Sequence, residues 1–207
     1  MATKARAFEK SVFVNCPFDK RYKHLFDAIV FTIYDCGFTP RCALEISDGG
    51  VRITKIIKII AECKLGIHDI CRTGLDVKHR LPRFNMPLEL GLFLGAKHFG
   101  RTQSEKMSLI LDKERYRYQI FISDLAGYDI VAHDDSASKL IQKVRDWLAT
   151  HNNGNILPSG KHVEGRFHEF QVDLPKRRRA LKLTGSSLIF TDLVYVIKTW
   201  NKLKAKP

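Results

Sequence analysis

An α/β fold built on a parallel sheet is what this sequence predicts, and three observations predict it. Short β-branched and aromatic runs alternate with amphipathic stretches of ten or more residues. Strands separated by segments of that length call for right-handed crossovers that cover both faces of a sheet. The length, 207 residues, suits one well-buried core plus a small addition. The expected architecture is a Rossmann-like, flavodoxin-like sheet of about five strands in the order 2-1-3-4-5. Residues 1–150 form it, and residues 151–207 make a basic, mainly helical appendage.

Ser11 to Asn15 reads as a buried first strand ending in the turn Asn15-Cys16-Pro17-Phe18-Asp19, where Asp19 is placed to cap the next helix. Tyr22, Leu25, Phe26, Ile29, Val30 and Ile33 recur at helical spacing, and Gly37 stops that helix. A weak second strand spans Phe38 to Ala43. The loop Leu44 to Gly50 then opens a helix whose apolar face is read as Ile53, Ile56, Ile57 and Ile60. Leu65 to Ile70 is the third strand, Met107 to Leu111 the fourth and Tyr128 to Ala132 the fifth. Ser136 to Thr150 closes the unit with Leu140, Ile141, Val144, Trp147 and Leu148 inward.

The composition excludes several function classes. No apolar run approaches the ~20 residues of a membrane-spanning helix, and the polar start from Met1 to Lys10 lacks a secretory apolar stretch, so the expected compartment is the cytoplasm, without a membrane partner. The five cysteines (Cys16, Cys36, Cys42, Cys63, Cys71) are scattered and odd in number, which predicts reduced thiols rather than disulfides or a zinc site. No metal is expected, and His68, at a strand end, reads as a packed or hydrogen-bonded residue. Net charge +13 invites a polyanion or a phosphate-bearing small molecule. The excess is concentrated in residues 151–207, which carry Lys176-Arg177-Arg178-Arg179, a candidate contact for nucleic acid or an acidic protein partner.

One segment stands apart. In Arg83-Phe84-Asn85-Met86-Pro87-Leu88-Glu89-Leu90-Gly91, Asn85 is placed as N-cap and Pro87 in the first turn, so that Glu89 sits one turn into an otherwise apolar helix. A carboxylate there either meets a cation from elsewhere or lines a pocket. In open parallel sheets, ligands bind beyond the carboxyl ends of the strands at the topological switch point, here between strands one and three. That rule gathers Asn15, Phe18, Asp19, Asp48, Asp69, Arg72 and Glu89 around one cleft. Phe18 is placed either to stack on a base or to cap the core. Asp48-Gly49-Gly50 offers backbone N–H groups to a phosphate, but lacks the Walker spacing and the full Gly-x-Gly-x-x-Gly, which excludes a P-loop triphosphatase and a dinucleotide dehydrogenase. Arg52, in a first helical turn, opposes the helix dipole and points to an external anion.

The pattern Arg83-x-Asn85-x-x-x-Glu89-Leu90-Gly91, with Phe93-Leu94-Gly95 and the strand Ser108 to Leu111, resembles bacterial TIR-like nucleotide-binding domains of anti-phage effectors. Ile122-Ser123-Asp124-Leu125-Ala126-Gly127 is similar to the Pro-Ser-Asp-Leu-x-Gly segment of those domains, with Ile122 in the place of proline. The third strand departs too, ending Asp69-Ile70-Cys71-Arg72 where the effectors show a Thr-Pro-Asp-Asp-like run. More distantly, the helix resembles that of nucleoside 2-deoxyribosyltransferases. The resemblance covers residues 11 to about 150 and is sharpest over 69–131. It implies cleavage of an N-glycosidic bond, with NAD as substrate rather than cofactor, Glu89 as the catalytic carboxylate, and self-assembly into a homo-oligomer. Arg52, Arg72 and Arg83 are then expected to hold a pyrophosphate, and Asn85 to contact substrate. A nucleoside substrate with a neutral leaving base demands a second acid, for which Asp69 and Asp48 are the candidates. The competing class is a non-catalytic module that senses a nucleotide while the basic tail recruits nucleic acid or a protein.

Overall fold

The computed structural model describes residues 2–45, 49–75, 80–185 and 187–204. Its elements run α1 (Ala2–Lys10), β1 (Ser11–Asn15), α2 (Lys23–Asp35), β2 (Thr39–Arg41), α3 (Arg52–Ala61), β3 (Leu65–Asp69), α4 (Asn85–Phe99), β4 (Met107–Asp112), β5 (Ile130–Ala132), α5 (Ala137–Thr150), α6 (Gly160–Ala180) and α7 (Phe190–Lys204). Two short 3-10 turns, Arg117–Ile120 and Ser123–Leu125, lie between β4 and β5. The five strands pair in parallel in the order 2-1-3-4-5. Among the described residues no helix is long and apolar enough to cross a membrane.

Alternation along the strands buries both faces of the sheet. Val12 and Val14 of β1 and Leu65 and Ile67 of β3 face the cluster filled by α2, α5, α6 and α7. Phe13 points the other way, into Ile56, Ile59 and Ile60 of α3 and Phe93 of α4. Gly66 belongs to that second face, where a Cβ would fall 2.7 Å from the Phe93 ring and 2.6 Å from His68 Nε2. The missing side chain lets α4 lie close on the sheet. Gly37, at φ +78°, ends α2 as its position predicts.

One expectation is corrected, and two features are added. The buried stripe of α3 is Ile56, Ile59 and Ile60, and Ile53 and Ile57 are 36% and 48% exposed, because α3 meets the sheet one residue out of phase with the sequence reading. The polar start folds as α1, tied down by the Lys64 N–H to the Phe8 carbonyl at 3.1 Å and by the Lys64–Glu9 ion pair at 2.8 Å. The C-terminal segment is helical as expected, yet Phe167, Phe170, Leu193, Val196 and Trp200 join the same buried cluster as α2. It is a further layer of one core.

Candidate active site at the switch point

Register aligns the ends of the strands that matter. Asn15 of β1 pairs with His68 of β3, and Asp69 with Leu111 of β4, so the loops after β1, β3 and β4 rise together from one edge. α4 begins above that edge. Its first residue is Asn85 and its N-cap Phe84, whose carbonyl accepts the Leu88 N–H at 2.9 Å, so Asn85 is not the cap and Glu89 falls in the second turn. Pro87 costs no hydrogen bond in the first turn.

Glu89 is 6% exposed and lines a cavity of 250 Å3 together with Phe18, Asp19, Arg52, Arg72, Arg83 and Asn85. No cation among the described residues reaches ion-pair distance of its carboxylate. Burial pushes its carboxyl up to about 7, with the Arg52 guanidinium pulling back. The acid is therefore poised between its two forms at neutral pH, facing a space bordered by three arginines.

The other expected residues separate into two groups. Phe18, Asp19, Arg52, Arg72, Arg83 and Asn85 reach the cavity, and Asn15 and Asp69 do not; Asp48 lies outside the described residues. Asn15 is used as a tie beneath the site: its amide donates to the Met86 carbonyl at 2.8 Å and meets His68 Nδ1 at 3.2 Å. Burial pushes the His68 imidazole down to about 3, so it stays neutral and accepts from Asn15. Asp19 accepts the backbone N–H groups of Arg21 and Tyr22 at 2.9 and 3.1 Å, capping the turn before α2 rather than α2 itself, and stands 3.7 Å from Arg72. Phe18 rests edge-on against Phe26, with ring centroids 5.4 Å apart, and leaves part of its ring open.

Asp69 is sealed in a network that single-residue inspection does not reveal. It accepts the Tyr22 hydroxyl and the Cys71 N–H, the latter at 2.9 Å, and His133 Nε2 lies 3.0 Å away, out of line for a hydrogen bond. Burial drives the Asp69 carboxyl up, but His133, the Tyr22 hydroxyl and the Cys71 thiol outweigh it and leave it lowered. Burial likewise drives His133 down, and Asp69 leaves it raised. Asp69, held by Tyr22 and facing His133, fastens the loop after β1, the end of β3 and the end of β5 at the edge that carries the site. Asp69, Cys71 and His133 are also near enough to hold a metal ion, with candidate ligand atoms within 4.8 Å of one another. Burial and the Asp69 carboxylate push the Cys71 thiol far up, which disfavours the thiolate a metal needs, and Asp69 is already satisfied.

Two further spaces adjoin the Glu89 cavity. A cleft of 640 Å3 shares Asp19, Arg72 and Arg83 with it and runs over the loops after β3 and β4. An apolar chamber of 370 Å3 shares Phe18 and Asp19 and is walled by Phe26, Leu44 and Leu188 to Phe190, so the segment before α7 reaches the site's border. Sequence reasoning missed both. No family model matches the chain, and no curated protein matches it.

Proposed function

We propose that this chain cleaves the N-glycosidic bond of NAD, releasing nicotinamide, with Glu89 as the catalytic carboxylate. The observation that carries the reading is a buried carboxylate with no cationic partner among the described residues, opening on a cavity whose rim is arginine-rich. The resemblance of Arg83, Asn85 and Glu89 to the effector motif supports the same residue.

The chemistry asks little else of the protein. The nicotinamide ring in NAD is cationic, so when the C1′–N bond breaks the bonding pair returns to the ring nitrogen and a neutral base departs without a general acid. Positive charge develops on the ribose, and the Glu89 carboxylate stabilises it electrostatically or traps it as an ester that water then hydrolyses. Arg52, Arg72 and Arg83 border the cavity where they neutralise a pyrophosphate, and Asn85 presents an amide to the sugar. A nucleoside with a neutral leaving base calls for a second acid, and Asp69 is sealed away from the cavity and unable to deliver that proton.

Incubation of the purified chain with NAD, with free nicotinamide followed by chromatography, tests the proposal. Release by the wild-type chain and its loss in Glu89→Gln is the expected result. No release by folded wild type overturns the enzyme reading and leaves a nucleotide-sensing module. Undiminished release by Glu89→Gln overturns the residue assignment.

A further inference from the structure

The cleft beside the Glu89 cavity is more basic than the chemistry at Glu89 requires. Lys20 and Arg21 enter it from the loop after β1, Arg72 from the loop after β3, Arg83 from the approach to α4, and Lys113 and Arg117 from the loop after β4. Only Asp19 and Glu114 oppose them from its lining. The cations differ in how far they are already engaged. Arg117 is spent on Asp112, on the Ile70 and Cys71 carbonyls and on Thr73, and so fixes the floor. Lys113 stands 3.5 Å from Asp135 and 3.8 Å from Glu114, and Arg72 reaches Asp19 only at 3.7 Å. Lys20, Arg21 and Arg83 form no ion pair among the described residues.

Like charges held on one concave wall repel each other, and an anion bound among them relieves that repulsion. Guanidinium groups at such a wall favour phosphoryl oxygens, which they engage through paired N–H donors. The volume matters as well. The Glu89 cavity, at 250 Å3, is small beside the ~300–1,000 Å3 of ordinary ligand sites, whereas the cleft adds 640 Å3 through the shared residues Arg72 and Arg83. Cys71, Gly74 and Leu75, also in its lining, are short-chained or apolar and leave room for a nucleoside beside the cations.

We propose that the cleft holds the diphosphate and distal nucleoside of a dinucleotide whose scissile ribose sits at Glu89. The substrate class is then a ribosyl compound extended through a 5′-diphosphate, not a free nucleoside. Arg72 and Arg83, shared by the two spaces, stand between them, and Arg21 from the loop after β1 and Lys113 from the loop after β4 grip the phosphates. The orientation rests on the reading of Glu89 given above; the phosphoryl site does not.

Calorimetric titration of the whole chain with inorganic pyrophosphate, ADP and adenosine tests the cleft without any bond being broken. Pyrophosphate and ADP are expected to bind, adenosine about tenfold or more weakly than ADP, and the ADP affinity to fall several-fold, roughly five- to tenfold, between 50 and 200 mM salt. In the double variant Arg21→Gln/Lys113→Gln the ADP affinity is expected to drop about tenfold or more, with an unchanged unfolding midpoint because both side chains are at the surface. A control of equal charge loss, Arg177→Gln/Arg179→Gln, lies outside the cleft and is expected to leave ADP binding intact. Failure of pyrophosphate and ADP to bind, or an equal loss in the control, overturns the proposal. Kinetics separate it from the reading of Glu89. ADP binding without nicotinamide release from NAD leaves the cleft standing and removes the glycosidase. Equally efficient release from NAD and nicotinamide riboside, unaffected by the cleft variant, does the reverse.

Discussion

At Glu89 the same burial that makes the residue useful makes it costly. Its carboxyl sits at about 7 in the fold against an ordinary value near 4.5, so between those values the native chain holds a proton that the unfolded chain has released. Stability therefore falls as pH rises from ~4.5 to ~7, the reverse of an ion-paired acid. Glu89→Gln is expected to be more stable than wild type at pH 8, by up to about 3 kcal/mol, and equal to it below pH 4.5, as urea unfolding at the two pH values will read. The same substitution is expected to slow nicotinamide release about 10²–10³-fold. For wild type, release at low substrate rises with pH, reaches half its plateau near 7, and stays level above. A plateau that begins below pH 5 contradicts an active carboxylate in this environment. His133 shifts stability in the same direction, but through an ion pair rather than through burial. Its raised imidazole contributes stability that is complete below its unfolded value of about 6.5 and is lost as pH climbs through the folded one, while lowered Asp69 contributes above about 3.8. Removing one partner of a buried pair costs about 3–5 kcal/mol, so His133→Gln is expected to lose that much at pH 6 and less at pH 9.

Elements declare themselves in sequence when their period is strong and their burial one-sided. α2 was legible because Leu25, Phe26, Ile29 and Ile33 repeat over a full 13 residues and Gly37 closes them. α3 was legible as a helix but not in phase: five isoleucines compete for the inward stripe, and only packing against Phe13 and Phe93 decides for Ile59. α1 is short and polar, held by Lys64 from far along the chain, so no local pattern announces it. The site divides in the same way. Glu89 stood out as a lone acid among apolar neighbours, whereas Lys20, Arg21 and Lys113 were invisible among 35 basic residues until the β1, β3 and β4 loops came together. The fusion of α6 and α7 with the main core was likewise hidden, since it depends on Phe31 of α2 meeting Phe170 at 5.2 Å and Trp200 at 5.8 Å. That packing makes a definite claim about the C-terminal helices. Trp200 is fully buried and its indole N–H donates to Asp173 at 2.9 Å. Trp200→Ala is expected to cost about 3–5 kcal/mol of the stability of the whole chain, seen as one cooperative urea transition at a lower midpoint. Two transitions, with only the second displaced, contradict a shared core.

At the scale of the molecule, a net charge of +13 attracts every polyanion, so binding of nucleic acid alone does not identify a partner. Salt distinguishes the cases. A dinucleotide presents two phosphates to a confined cleft, while a duplex laid along Lys176, Arg177 and Arg179 and the lysines of α7 engages many. A protein that neutralises six to ten phosphates gives up about 10³–10⁵ in affinity between 50 and 200 mM salt. A short DNA duplex is therefore expected to bind this chain at 50 mM and to be released by 200 mM, regardless of its sequence, while the KM for NAD rises only several-fold, roughly five- to tenfold, over the same range. Arg177→Gln/Arg179→Gln is expected to flatten the duplex salt slope by about one to two units, one for each phosphate no longer neutralised, and to leave nicotinamide release unchanged, because neither side chain borders the Glu89 cavity or the basic cleft. The two surfaces then act independently, and the charge of the C-terminal helices is a general field rather than a second site. A duplex that remains bound at 200 mM and changes the rate of nicotinamide release produces the opposite conclusion: α6 and α7, packed on α2 directly behind the β1 loop, would transmit nucleic-acid binding to Glu89.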